Sequence, residues 1–420
     1  MTMQKLKMRL SLMMFLQYAV WGSYLLSLGA YLSSIGFGNR IGWFFAAQGV
    51  VSLFMPAFVG IVADKWMKPK RVYALCHIIS AICMLIVAVN GLNTRPSFNS
   101  LFLPYCISTV FFMPTIALSN SVCFSILQSN GVDTVSVFPK IRMWGTIGFI
   151  AAMWVVNFAQ FQLSSMQFLM RSFLGVVLSV YALSLPMAEL KTDRNSDSVM
   201  SRMGFTAFNL FKNRKLALFF LFAMAFGTCV QITSGYVTPY LDSFAINPEY
   251  SQLFVVRNSL FMTSLSQTSE AFLILLLPVC IKKMGIKRVI TVSALAWSLR
   301  YLLLGLGNPA DGVIWLILSM IVYGVAFNFF NIAGSMFVDS ETDPEMRSSA
   351  QGLFMMMTNG FGTFIGMALA QKVVNLFTFS EFVKNRYYTI GDWGMVWMIF
   401  AIFALLIALL FGLTFREKKK

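Results

Sequence analysis

The chain has 420 residues, of which 58% are hydrophobic and 11% charged, where soluble domains carry about 45–50% apolar and about 25% charged residues. So few charges cannot cover the surface of a soluble protein this long. The net charge of +16 lies in short loops between apolar stretches and forms no stripe on a soluble domain, which argues against a nucleic-acid partner. Taken in chain order, Lys5, Lys7 and Arg9 precede an apolar run over 10–33. That run is too long for a signal peptide and lacks a small-residue cleavage site, so it is expected to be a retained helix. Eleven further runs follow at 41–63, 72–92, 101–126, 143–161, 167–188, 216–241, 258–280, 287–306, 312–337, 348–371 and 392–414. Each is about the length that crosses a hydrocarbon core as helix. Pro56 and Pro114 fall inside runs, where neighbouring helices re-satisfy the freed backbone groups.

The sequence therefore predicts an all-α integral membrane protein of twelve spans. The longest polar connection, 191–215, separates an N-terminal six-helix bundle (1–190) from a C-terminal one (216–420). An even number of spans puts both termini on one side. That side holds 24 of the 32 Lys and Arg residues, so the positive-inside rule makes it cytoplasmic, and its basic loops imply contact with anionic lipid. All six cysteines lie within apolar runs, where thiols behave as small hydrophobes. The single histidine, His77, has no Cys or His companions at metal-ligand spacing. No metal and no cofactor are expected, and with no nucleophile–base pair in view an enzyme is not expected either.

The two halves echo one another. Lys70-Arg71-Val72 follows the second run and Lys287-Arg288-Val289 the eighth, while Arg142 opens the fifth run and Arg347 the eleventh. This pairing resembles the parallel pseudo-repeat of the major facilitator superfamily. So does the stretch Gly60-Ile61-Val62-Ala63-Asp64-Lys65-Trp66 with Arg71, which is similar to that superfamily's G-x-x-x-D-[RK] loop. Gly60, Asp64, Lys65 and Arg71 are accordingly candidates for a gating loop, the alternative being a solvated basic loop.

Ionisable groups inside a membrane are costly and mark function by default. Of the 16 acids, 15 fall in loops or at run ends, and Glu270 alone lies near the middle of a run. Gln267 is three residues before it, on the same helix face. Glu270 is thus either a proton-responsive group or one half of a structural salt bridge. Arg142, Thr146 and Phe149 are spaced i, i+4, i+7; Gln231 and Ser234 i, i+3; Tyr323 and Phe327 i, i+4, with Asn328 beside them; Gln17 and Trp21 i, i+4. Any one aromatic could be packing and any one hydroxyl helix glue. As a set, amides with aromatic faces suit a flat, polar, uncharged molecule.

Longer strings carry a more specific resemblance. They are Phe15-Leu16-Gln17, Trp21-Gly22-Ser23, Met55 through Trp66, Ile141 through Phe149, Gln231-Ile232-Thr233, Ser266 through Glu270, Ile321 through Phe327, Ser349 through Gly352 and Met357 through Gly362. Through them the chain resembles the nucleoside:proton symporter family of the major facilitator superfamily, typified by bacterial nucleoside and xanthosine permeases. The resemblance implies a bacterial inner-membrane transporter that imports nucleosides with protons by alternating access. It also implies a nucleoside site of Arg142, Thr146, Phe149, Gln231, Gln267, Glu270, Tyr323 and Phe327. Two positions depart from the family pattern. Ser234 stands where the typical permease has an asparagine and Asn328 where it has an aspartate, which leaves Glu270 as the candidate for proton coupling. The expected working unit is a monomer whose partners are a nucleoside, protons and lipid. The alternatives are an uncoupled nucleoside facilitator and a sugar or oligosaccharide symporter of the same fold.

Overall fold

The computed structural model describes every residue except Met1, Trp66, Thr94, 187–204, Pro344, Glu345 and 416–420; at 57, 61, 63–65, 135–136, 205–207 and 348 it describes the backbone only. Apolar stretches become helices because lipid leaves backbone polar groups no partner but one another. The first seven helices are α1 (Met3–Gly22), α2 (Leu28–Ser34), α3 (Ile41–Lys65), α4 (Pro69–Asn90), α5 (Phe98–Ser129), α6 (Thr134–Phe158) and α7 (Met166–Ser184). After them come α8 (Arg214–Ser243), the short α9 (Pro248–Ser251) and α10 (Phe254–Arg257), α11 (Ser259–Leu273), α12 (Leu277–Leu306) and α13 (Val313–Ser340). The last are α14 (Arg347–Met355), α15 (Thr363–Phe377) and α16 (Trp393–Thr414).

Among the described residues, ten helical stretches are long and apolar enough to cross a membrane. The difference from twelve runs has two causes. The eighth and ninth runs merge into one stretch, Ser259–Leu306, turned within α12 at Gly285 (φ 80°, ψ 164°), a conformation glycine adopts without steric cost. The first run, expected as one helix, breaks between α1 and α2. There the Ser23 hydroxyl donates to the Val20 carbonyl (2.9 Å) and the Ser27 hydroxyl to Gln167 Oε1 of α7 (2.7 Å). Serine back-bonding like that of Ser23 bends helices, and hydropathy does not register it. A seven-residue π-helical turn, Met356–Gly362, joins α14 to α15.

The chain packs as two compact units: Met1–Leu28 with Val51–Met203, and Gly29–Val50 with Gly204–Lys420. In the first unit the main neighbours are α1 with α6, α4 with α7 and α4 with α5. The α1–α6 seam is closed by glycines: a Cβ on Gly148 would meet the Phe15 carbonyl, and one on Gly22 the Phe149 carbonyl. Backbone contact of this kind is how membrane helices gain packing without a hydrophobic driving force.

In the second unit α12 packs on α13 and α16, and α11 on α13. This unit also holds an element absent from the sequence reading. Strands β1 (Thr378–Val383) and β2 (Arg386–Gly391) form an antiparallel hairpin. Its two-residue turn is Lys384-Asn385, with φ of 51° and 67°, the positive values that a type I′ turn demands. Arg386 Nη1 pairs with Asp242 at the end of α8 (3.1 Å), and the Thr389 amide donates to Ser33 Oγ (3.1 Å).

Candidate functional site

In the first unit, one face of α6 carries Arg142, Thr146 and Phe149. The Arg142 guanidinium lies 3.9 Å from the centroid of the Tyr18 ring, a cation–π distance. Phe149 is buried and meets Trp21 edge-on at 6.2 Å, and Trp21 in turn meets Phe112 at the same distance. The indole Nε1 of Trp21 is buried with no hydrogen-bond partner among the described residues. Thr146 is half-buried.

Gln17, singled out with Trp21, proves to be sealed in the core. Its Oε1 accepts from the Tyr73 hydroxyl (2.6 Å) and sits 2.8 Å from His77 Nε2, while its Nε2 donates to Thr115 Oγ1 (3.0 Å). A carbonyl oxygen only accepts, so the arrangement requires His77 to carry its proton on Nε2. This is a buried structural network, though His77 Nδ1 has no partner among the described residues, and it accounts for the histidine that the sequence left without a role.

The second unit supplies the other candidates from three mutually neighbouring helices, α8, α11 and α13. On α8, Gln231 is half-buried with its Oε1 unpartnered, and the Ser234 hydroxyl donates to its own helix at the Val230 carbonyl (3.1 Å). On α13, the Tyr323 and Phe327 rings stack nearly parallel (11°, centroids 5.5 Å apart). From α11, Gln267 and Glu270 lie near the Tyr323 side chain. Asn328 Nδ2 donates to the backbone carbonyl of Glu270 (2.6 Å), tying α13 to α11. The seam between these helices is tight at Gly324, where a Cβ would stand 2.6 Å from the Ser269 carbonyl oxygen.

The structure thus brings Arg142, Thr146 and Phe149 onto one face, and Gln267, Glu270, Tyr323 and Phe327 around one seam. In the expected gating loop, Gly60 lies in α3 with open space around its Cα, and Arg71 is exposed near the start of α4; the side chains of Asp64 and Lys65 lie outside the described residues. So does much of the expected linker, 191–215.

Two arginines escaped the sequence reading because only acids were followed through the apolar runs. Arg171 of α7 is fully buried, with Nη1 donating to the Ser80 carbonyl (2.7 Å) and its guanidinium 5.0 Å from the Phe112 ring and 5.7 Å from the Tyr24 ring. Arg300 of α12 is fully buried as well, with Nη1 donating to the Ser319 carbonyl (2.7 Å) and to Ser266 Oγ (3.2 Å). Among the described residues neither has a carboxylate within salt-bridge distance.

Comparison with known proteins places this architecture. A family model described as a nucleoside H+ symporter matches residues 3–420. The chain is 42% identical over 412 residues to the xanthosine permease of Escherichia coli K12, covering 97% of this chain and 96% of that protein. It is 42% identical over 416 residues to nucleoside permease NupG of the same organism, covering 98% and 96%. The crystal structure of nucleoside transporter NupG superposes with a TM-score of 0.87 at 41% identity, covering 98% of this chain and 100% of that one. A D-xylose-proton symporter, 12% identical with a TM-score of 0.67 and 96% of each chain covered, shares the fold alone.

Proposed function

The chain belongs to the nucleoside H+ symporter family, and on that premise we propose that it imports nucleosides across a bacterial inner membrane together with protons. The observation that carries the reading is the α11–α13 seam. There two stacked rings, an amide and a carboxyl group stand together, tied by Asn328. The parallel faces of Tyr323 and Phe327 suit a planar base, since base–aromatic stacking contributes about 1–3 kcal/mol per base. Gln267 and Gln231 offer donors and acceptors for base edges and ribose hydroxyls, and a solute lacking those hydroxyls leaves the amides unpaired. Arg142, Thr146 and Phe149 on their shared face of α6 are further nucleoside-binding candidates, as is Ser234, three residues after Gln231 on α8.

Glu270 carries the coupled proton. A carboxyl group in an apolar bundle is least costly when protonated, so proton and solute are bound together on the side where both are abundant and released together on the other. Asn328 has no proton to exchange at neutral pH, which leaves Glu270 to do so. Gly60, Asp64, Lys65 and Arg71 form the gating loop. The bundles are 1–190 and 216–420, joined by 191–215, with both termini cytoplasmic. The basic loops lie against anionic lipid, and the working unit is a monomer with no nucleic-acid partner.

The test is uptake of labelled uridine and adenosine into proteoliposomes under an imposed pH gradient. Uphill accumulation abolished by a protonophore is expected, with Glu270→Gln retaining solute exchange and losing gradient-driven accumulation. Uptake indifferent to the gradient would make the protein a facilitator. Competition by lactose but not by uridine would make it a sugar symporter.

A further inference from the structure

We propose that Arg300 is a positioning residue for the nucleoside site, fixing the ring of Tyr323 and strengthening its hydroxyl as a hydrogen-bond donor. The assignment rests on the transport reading above. Arg300 sits on α12, behind the α11–α13 seam, and touches both of its sides. Its Nη1 bonds Ser266 Oγ of α11, one residue before Gln267, and the Ser319 carbonyl of α13, one turn before Tyr323. Its guanidinium carbon lies 4.7 Å from the centroid of the Tyr323 ring. Trp297 of the same helix meets that ring edge-on (5.7 Å, 88°), and Phe327 stacks along it. The ring is therefore held on several sides, with Gln267 and Glu270 near the same side chain.

Fold stability does not explain the charge. A guanidinium with no carboxylate partner is expensive to bury, and replacing buried ions by apolar residues of similar volume is often neutral or stabilising. Removing this one would orphan little. The Ser319 carbonyl lies within α13 and accepts in its own helix, and the Ser266 hydroxyl already donates to Met320 Sδ (3.2 Å). What a methionine could not do is present a planar cation to the Tyr323 ring. Such a cation draws on the ring's negative face, leaving the phenol hydrogen more positive and better able to hold an acceptor on the solute.

The experiment measures KM and maximal rate for uridine in proteoliposomes for wild type, Arg300→Met, Arg300→Lys, Tyr323→Leu and the Arg300→Met/Tyr323→Leu double variant, with thermal unfolding of each. Arg300→Met is expected to raise KM roughly tenfold, the scale of a desolvated cation–π contact, with a melting temperature equal to or above that of wild type. Arg300→Lys, which keeps the charge without the planar fork, should recover part of the loss. On the Tyr323→Leu background the arginine substitution should change KM less than twofold, because residues acting through one another are not additive. Additive effects, or a KM for Arg300→Met within twofold of wild type, overturn the assignment while leaving the transport reading intact. If Arg300→Met does not fold, Arg300→Lys decides: an unchanged KM overturns the assignment, and a raised KM at unchanged melting temperature upholds it. Wild-type protein that moves no nucleoside overturns the transport reading and this assignment with it.

Discussion

Replacing Gly324 by alanine sets a methyl group into the seam between α11 and α13. The new Cβ would lie 2.6 Å from both the carbonyl oxygen and the hydroxyl of Ser269, so the helices must part by roughly 0.8 Å to restore ordinary contact near 3.4 Å. Overpacking of this kind costs about 1–3 kcal/mol. The Asn328–Glu270 bond, 2.6 Å long and four residues away, would stretch with the seam and add about 1 kcal/mol. For a folding unit of this size the sum corresponds to a melting temperature on the order of 5–10 °C lower. Because Tyr323 and Gln267 flank the same seam, the KM for uridine should rise in parallel. Differential scanning fluorimetry of detergent-purified protein and uptake in proteoliposomes read the two effects. Gly352→Ala is the control: its Cβ meets nothing within 4 Å, and it should gain up to about 1 kcal/mol from helix propensity. A Gly324→Ala protein that melts and transports like wild type would refute the claim that backbone contact sets the geometry of the site.

Asn328→Asp keeps the shape of the side chain but can donate to the Glu270 carbonyl only while protonated. Relative to wild type its uptake and stability should match at low pH and fall as pH rises, by about 1–3 kcal/mol once the bond is lost; a deficit independent of pH would contradict this. Gln17→Leu orphans the Tyr73 hydroxyl and the His77 Nε2–H in the core of the first unit. It should lower stability by about 2–5 kcal/mol, from two unsatisfied buried donors. A melting curve within about 1–2 °C of wild type, the scale of experimental scatter set against such a loss, would show that Gln17 does not hold these donors as described.

Most of the fold was legible because long apolar runs admit few structures in lipid. The places where reading failed share a cause: hydropathy averages over residues whose individual hydrogen bonds decide the outcome. Ser23 and Ser27 count as nearly neutral, yet the back-bond of Ser23 and the bond of Ser27 to Gln167 lie where α1 ends early. The hairpin was signalled by Lys384-Asn385 between alternating aromatic strands, but the segment was treated as a loop between spans. For the site, Glu270, Gln267, Tyr323 and Phe327 were found by cost and spacing, and the structure gathers them at one seam. Ser234 was paired with Gln231 by spacing alone, which does not show that its hydroxyl bonds its own helix. Asn328 was valued for the acid it is not, when its amide is what ties the seam. Arg171 and Arg300 were hidden among bases assigned to helix ends.

Arg171 has an effect that reaches beyond its immediate contacts. Together with Arg300 it gives each unit a permanent positive charge in its interior, held on hydroxyls, carbonyls and rings that do not neutralise it. At an effective dielectric constant of about 20, a unit charge roughly 10 Å from either guanidinium feels about 1.7 kcal/mol. A protonated amine passing at that distance is disfavoured by more than about tenfold against its uncharged counterpart. Within each unit the field of the buried guanidinium thus favours uncharged or anionic groups over cations at that range.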